Sequence, residues 1–367
     1  MATILVIEPY YGGSHKQFID EWETHSEHQF YKLTLPARKW KWRLHHAGLS
    51  LAKKFLESEL KNFQFDLIFS SSMLNLNLFR SITAPYLQKS KFIYYFHENQ
   101  FNYPLQKEEF NDKTYGFIQL SSCEIADEIW FNSKFNMDSF FREANKFLKT
   151  MPDDNSAINI EELMNKSKIH YPGVSKSQIN NDAKQLNNNK ITILWNARWE
   201  FDKQPEFFLD QMQELEKHSS FNLILLGDNK NCNKNLVNKV NNLKSVQFFG
   251  FCDNKADYYN WLHSSDIVIS TALHEFYGIG ILEAINYGCI PFVPKRLVYP
   301  ELFNSLEFSS CFYSDQNFLT QLIELITLSE SKKHKTLLNL KNLIENHDLN
   351  QCVKTRDIAI HKYLNTN

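Results

Sequence analysis

Short apolar runs separated by amphipathic stretches recur along the whole chain. Residues 4–7 (Ile-Leu-Val-Ile) make the first run, and a helical pattern begins behind it at 16–22. Further runs lie at 67–70, 92–96 and 128–132, the last preceded by a helical stretch at 117–126. Continuous apolar runs of this length, without strict alternation, mark strands buried on both faces of a parallel sheet. The second half repeats the rhythm at 191–194, 222–227, 246–250, 267–270 and 290–293, the last behind the apolar helix that contains Glu283. Strand and helix in alternation predict a doubly wound, Rossmann-like parallel sheet in each half, with ligand sites at the C-terminal ends of the strands. Residues 150–166 are polar and acidic and predict a mobile loop or an irregular helix, while the charged tail from 337 predicts a helix. The polar stretch 175–189 reads as an interdomain linker. The expected division is an N-terminal domain over 1–177, a linker over 178–189, a C-terminal domain over 190–345 and a terminal segment over 346–367.

Bulk composition narrows the class. A chain of 367 residues exceeds one ordinary core and agrees with two domains. Its net charge of −2 gives no global pull on nucleic acid or membrane, so a polyanionic partner has to be met by a local patch. Six cysteines are scattered with no Cys-x-x-Cys pair, which argues against a metal centre or a disulfide framework and for free thiols in a reducing compartment. No stretch approaches about 18 consecutive apolar residues, so no membrane span or stable membrane association is expected. Met1-Ala2-Thr3 lacks the basic region of a signal peptide and runs straight into a strand. A cytoplasmic protein is expected; nothing in the pattern bears on its oligomeric state.

Candidate chemistry clusters behind the strand runs. His274-Glu275-Phe276-Tyr277-Gly278-Ile279-Gly280-Ile281-Leu282-Glu283 follows the run at 267–270 and opens a helix, with Gly278, Ile279 and Gly280 at its start. Free backbone N–H groups and the positive dipole end there suit a phosphate or sugar hydroxyl. Glu275 is expected before the first turn and Glu283 about two turns inside. Arg198 and Lys203 follow the run at 191–194, where a guanidinium and a point charge could clamp a diphosphate. After the first run, Gly12 and Gly13 make either a turn with exposed amides or a plain tight turn, and Ser14, followed by His15, is expected to cap the next helix. His97, Glu98, Asn99 and Gln100 close the run at 92–96, where four successive polar residues are expected outside the core. The segment Arg38-Lys39-Trp40-Lys41-Trp42-Arg43 interleaves cations with tryptophans ahead of His45 and His46. It suits phosphates with unstacked bases, a membrane surface, or simple surface packing.

The run from Glu275 to Glu283 resembles the Glu-x7-Glu signature of retaining glycosyltransferases of the GT-B fold, and the segment from Arg198 to Lys203 resembles the Arg…Lys element of the same superfamily. A narrower resemblance, to the tRNA-queuosine α-mannosyltransferase family, rests on six segments in order. They are Tyr-Gly-Gly-Ser-His-Lys-Gln at 11–17, Arg-Lys-Trp-Lys-Trp-Arg at 38–43, Phe-His-Glu-Asn-Gln at 96–100, Arg-Trp-Glu-Phe-Asp-Lys at 198–203, His-Glu-Phe-Tyr-Gly-Ile at 274–279 and Lys-Arg-Leu-Val-Tyr-Pro-Glu at 295–301. The resemblance implies a two-domain GT-B fold with an interdomain cleft, hinged near 175–189, and a tail that packs back on the first domain. It implies transfer of mannose from GDP-mannose to the cyclopentenediol of queuosine in a tRNA anticodon loop, with the α linkage retained and no metal or other cofactor. Glu275 and His97 would then contact the sugar, and Glu283 the ribose. Arg198, Lys203, Gly12, Gly13 and the amides at 278–280 would meet the diphosphate. Ser14, His15, the segment 38–43, Glu98 and Asn99 would face the tRNA. Two other readings are a transferase that builds a lipid-linked or surface glycan on the same donor site, and a tRNA-binding module without activity.

Overall fold

The computed structural model describes residues 1–104, 112–154, 156–176, 190–230 and 232–365. The chain divides into two compact units, Met1–Gly173 with Leu349–Asn367, and Val174–Asp348. The expected linker 178–189 lies outside the described residues.

In the first unit the apolar runs become β1 (Thr3–Tyr11), β2 (Gln29–Pro36), β3 (Leu67–Ser71), β4 (Lys91–Phe96), β5 (Glu128–Phe131) and β6 (Ser167–Ile169). They form one six-stranded sheet in the order β2-β1-β3-β4-β5-β6, with every pairing parallel. Burial on both faces is visible within β1. Ile4 and Val6 pack with Phe18, Ile19 and Trp22, whereas Leu5 and Ile7 point to the opposite face among Leu51, Phe55 and Phe79. Helix α1 (Gly13–His25) covers the first face and α2 (Trp40–Glu57) the second. The terminal helix Leu349–Asn365 lies on the α1 side. The Trp22 indole donates to Asp357 at 3.0 Å, and the buried guanidinium of Arg356 sits over the rings of Phe18 and Trp22 while donating to the carbonyls of Tyr171 and Pro172.

The second unit contains β7 (Thr192–Asn196), β8 (Asn222–Leu226), β9 (Val246–Gly250), β10 (Ile267–Ile269), β11 (Ile290–Pro294) and β12 (Phe312–Tyr313). Their order, β12-β11-β10-β7-β8-β9, is again all parallel. The chain reverses direction across the sheet between β7 and β10, and in the first unit between β1 and β3. Crevices outside the strand ends at such reversals are the usual ligand sites of open α/β sheets.

Three readings change here. β2 has no continuous apolar run because it is an edge strand, buried in full only at Leu33. The stretch at 150–166 ends in a real helix, Ile160–Asn165, capped by the Asn159 side chain. The tail is two helices, Glu330–Glu345 and Leu349–Asn365, and only the second belongs to the first unit. Among the described residues no helix is long and apolar enough to cross a membrane.

Candidate active site

In the second unit the two motifs meet where β7 and β10 end. Lys203, in the short turn after β7, directs its Nζ to the carbonyl of His274 at 2.5 Å, to Asp202 at 3.1 Å and to Glu275 at 3.4 Å. Glu275 uses its other oxygen to accept the N–H of Gly278 at 3.1 Å. Burial by itself would lower the Lys203 pKa, but the Glu275 and Asp202 carboxylates outweigh it and raise it. Burial likewise pushes Glu275 up, while Lys203 and the Gly278 amide pull it below its ordinary value. Both groups are therefore charged at neutral pH, a mutually held pair beside a helix N-terminus.

That helix, Ile279–Asn286, starts after Gly278, whose φ of 78° and ψ of 41° lie in the left-handed region that glycine tolerates best. Glu283 is the fifth residue of this helix and stands just over one turn inside it, not two. It accepts the hydroxyl of Tyr258 at 2.7 Å, and Tyr258 in turn accepts from Asn196 Nδ2 at 2.8 Å. Burial, then the Glu283 charge, pushes the Tyr258 hydroxyl well above an ordinary phenol, so it stays a donor to the carboxylate. Asn196 also donates to the carbonyl of Gly280 at 3.3 Å, and a Cβ on Gly280 would come within 3.0 Å of its amide nitrogen. Gly280 is thus small because β7 abuts it, a packing cause that the sequence did not separate from ligand access. Arg198 remains exposed, with its guanidinium 3.3 Å from Glu200.

In the first unit the glycine turn has two different causes. Gly12 is pressed against the end of β2, where a Cβ would lie 2.4 Å from that of Ala37. Gly13 has φ 52° and open space around it, so only the backbone conformation demands glycine there. Ser14 does not cap α1. Gly12 holds the cap position with extended backbone and no side-chain bond, and Ser14 lies within the first turn. His15 is buried beside Glu8, which the sequence reading did not single out, with Nδ1 3.2 Å from its carboxylate. Its ring packs on that of His97, centroids 4.0 Å apart. Burial, then His15 and Arg356, holds the His97 pKa well below its ordinary value, which keeps the imidazole neutral.

Asn99 departs from the expectation of a tRNA contact. It is fully buried and its amide donates to Asn136 and Ser139, while its Oδ1 accepts the N–H of Asn102. Gln100 is buried as well, its N–H bonded to Gln119, so this polar run is partly core, satisfied by side chains of neighbouring helices. Glu98 stays half-buried, 3.3 Å from the Gln100 amide.

Within the segment 38–46, residues 40–46 form the first turns of α2, preceded by Arg38 and by Lys39 at the cap position with φ 53°. Helical geometry sorts its residues by face. Arg38, Lys39, Lys41 and Trp42 are exposed, and the Trp42 ring lies flat on His46 at 5.0 Å and 9°. Trp40 is half-buried against Tyr103 and Tyr115. Arg43 points inward, buried, and donates to the Pro36 carbonyl at 3.1 Å, so it anchors the helix to the end of β2 and is unavailable to a phosphate.

Residues 3–174 match the family model described as the N-terminal part of tRNA-queuosine α-mannosyltransferase, and residues 177–346 match glycosyl transferases group 1. A tRNA-queuosine α-mannosyltransferase of Drosophila melanogaster is 34% identical over 320 residues, covering 82% of this chain and 81% of its own. The chain belongs to the tRNA-queuosine α-mannosyltransferase family. It is accordingly a glycosyltransferase, and its two parallel sheets are those of the GT-B fold. Distant structures share that fold. Anabaena Alr3699/HepE in complex with UDP-glucose superposes with a TM-score of 0.71 at 17% identity over all of both chains. The E. coli trehalose-6-phosphate protein bound with UDP-2-fluoro glucose gives 0.70 at 11% identity, over 98% of this chain and 99% of that one.

Of the residues expected in the site of this family, the structure brings Lys203, Glu275 and Gly278 into one bonded group and ties Glu283 to Gly280 through Tyr258 and Asn196. Tyr258 and Glu8 were not picked out from sequence. Tyr258 sits in a run of ordinary helix residues, Lys-Ala-Asp-Tyr-Tyr, with no signal of its own. Glu8 could have been found, as a carboxylate directly behind the first apolar run and seven residues before a histidine.

Proposed function

We propose that this glycosyltransferase moves mannose from GDP-mannose to the cyclopentenediol of queuosine in the anticodon loop of a tRNA, retaining the α linkage. The observation that carries the donor half is the partly buried Lys203–Glu275 pair joined to the amide of Gly278. It supplies a fixed cation, a helix N-terminus and a carboxylate for sugar hydroxyls within one bonded group. Lys203 and exposed Arg198 would hold the diphosphate, and Glu283, kept in place by Tyr258, would take the ribose. Stabilising the negative charge that develops on departing GDP is an electrostatic task, which oriented cations and amides perform without a metal. The departing phosphate oxygen would take the acceptor proton as the new bond forms on the same face. The acceptor half rests on family membership across residues 3–174 and on the cationic, aromatic start of α2, which suits phosphates and unstacked bases. A tRNA acceptor and cysteines that form no disulfide among the described residues fit a cytoplasmic enzyme. Mass spectrometry of tRNA nucleosides from cells with and without the gene tests the reading. Loss of mannosylated queuosine on deletion is expected; an unchanged nucleoside profile with altered lipid glycans would favour the lipid-linked alternative.

A further inference from the structure

Glu8 has no part in the scheme above, yet it is among the most constrained carboxylates of the first unit. It lies near the end of β1, 1% exposed, where the pairing of β1 with β2 shifts register between Glu8 and Tyr11. One carboxylate oxygen accepts the N–H of Tyr10 at 2.7 Å and the hydroxyl of Ser71, the last residue of β3, at 3.0 Å. The other lies 3.2 Å from His15 Nδ1. The His15 ring packs on His97, which Phe18 and Tyr95 box in edge-on at 5.0 and 4.7 Å. His97 Nε2 is buried and has no hydrogen-bond partner among the described residues. A buried polar atom left unmet costs stability unless something else satisfies it, so this atom points to a bound hydroxyl.

The same three residues bring one possible ligand atom each within 4.8 Å of one another. A shared metal fits them poorly. A tetrahedral zinc ion needs nitrogen lone pairs aimed at one point about 2.0 Å away. Imidazoles packed face to face, here tilted by 32°, aim theirs side by side. A carboxylate–imidazole hydrogen bond with a second ring stacked on it describes the group better.

We propose that Glu8 is a positioning residue: it holds His15 in the tautomer protonated on Nδ1 and, through the stacked rings, fixes the plane of His97 so that His97 Nε2 meets a hydroxyl of the reacting diol or sugar. The inference rests on the transferase reading. With Glu8 as the acceptor of the pair, the Nδ1 facing it carries the proton, and this is the tautomer the proposal assigns to His15. Replacing Glu8 by Gln keeps size and an acceptor for Ser71 and Tyr10, but it turns an N–H₂ donor toward His15. That donor favours the opposite tautomer and disturbs the stacked pair without removing either ring.

Imidazole nitrogen NMR of histidine-labelled protein, with His15→Gln used to assign the signal, reads the tautomer directly. Wild type should show His15 protonated on Nδ1, and Glu8→Gln should shift the proton to Nε2. Turnover of GDP-mannose and queuosine-containing tRNA should fall at least roughly thirtyfold in kcat for Glu8→Gln, with KM for GDP-mannose within about twofold. In the His15→Gln background the Glu8→Gln change should add less than about threefold, because residues acting as one unit are not additive. A His15 tautomer indifferent to Glu8, or kcat losses that multiply, would overturn the proposal. Should Glu8→Gln fail to fold by its melting curve, His15→Gln alone carries the test, since it leaves Glu8 bonded to Ser71 and Tyr10; wild-type kcat in that variant overturns it too. The spectrum needs no substrate, so its outcome separates failure of this inference from failure of the mannosyltransferase reading.

Discussion

Lys203 and Arg198 belong to one short motif, yet the structure gives them different risks on substitution. Lys203 is the only cation bonded to both Glu275 and Asp202 among the described residues. Lys203→Ala would leave those carboxylates uncompensated, a change of about 3–5 kcal/mol in stability, as well as weakening GDP binding. Arg198 is exposed, so Arg198→Ala should raise the GDP dissociation constant at least about tenfold with an unchanged melting temperature. Calorimetry with GDP and thermal melts of both variants check this, and unchanged GDP affinity in both would remove the clamp. The motif was legible at this scale because charge type and spacing survive in sequence. What it could not reveal was which member is enclosed, since the partial burial of Lys203 depends on Asp202 and Glu275, the latter brought close by the pairing of β7 with β10. Asn99 escaped sequence reasoning for the complementary reason. A polar residue at a strand end looks exposed until Asn136 and Ser139, from the helix Lys134–Lys149 behind β5, are known to satisfy it.

Helix α2 shows how element geometry divides a motif that reads as one block. Neutralising Arg38, Lys39 and Lys41 together should weaken tRNA binding and flatten its salt dependence by about 0.7–0.9 logarithmic units for each phosphate no longer neutralised. Trp42→Ala should cost about 1–3 kcal/mol of tRNA affinity if a base stacks on the exposed indole. Arg43→Ala should instead lower the melting temperature of the first unit, because its guanidinium ties α2 to the carbonyl of Pro36. GDP affinity should be the same in all three. Filter binding across a salt series decides it, and a triple variant with wild-type tRNA binding would make this face a structural surface. The core strands were readable because both-face burial gives them unbroken apolar runs. Edge strand β2, the cap of α1 and the Arg43 anchor were not, because each depends on which neighbour lies across from it.

At the scale of the whole molecule, each unit buries a histidine that resists protonation. Burial, then Arg356 and Lys168, lowers the pKa of His170 to about 3, and its ring packs on Trp130. Burial lowers that of His347 to about 4, with Nδ1 3.0 Å from the Tyr277 hydroxyl. An unfolded histidine titrates near 6.5. Above that pH both states are neutral and stability is complete. As pH falls from about 6.5 toward 4 for His347, and on toward 3 for His170, the unfolded chain takes up protons that the folded chain excludes, and stability is lost. Denaturant titrations at pH 7 and 5 should show the fall, and His347→Gln should flatten it; a pH-independent midpoint would contradict the assignment. If cations and a helix dipole serve the departing diphosphate as proposed, catalysis should also survive excess chelator, and activity that returns only with added divalent ion would refute this. The most direct test of the whole account is reconstitution. Purified protein is given GDP-mannose with queuosine-containing tRNA, the same tRNA lacking queuosine, or a lipid extract, and the digested nucleosides are weighed by mass spectrometry. The account predicts α-mannosyl-queuosine in the first reaction alone. Transfer to tRNA lacking queuosine, or to lipid with queuosine left untouched, would contradict it.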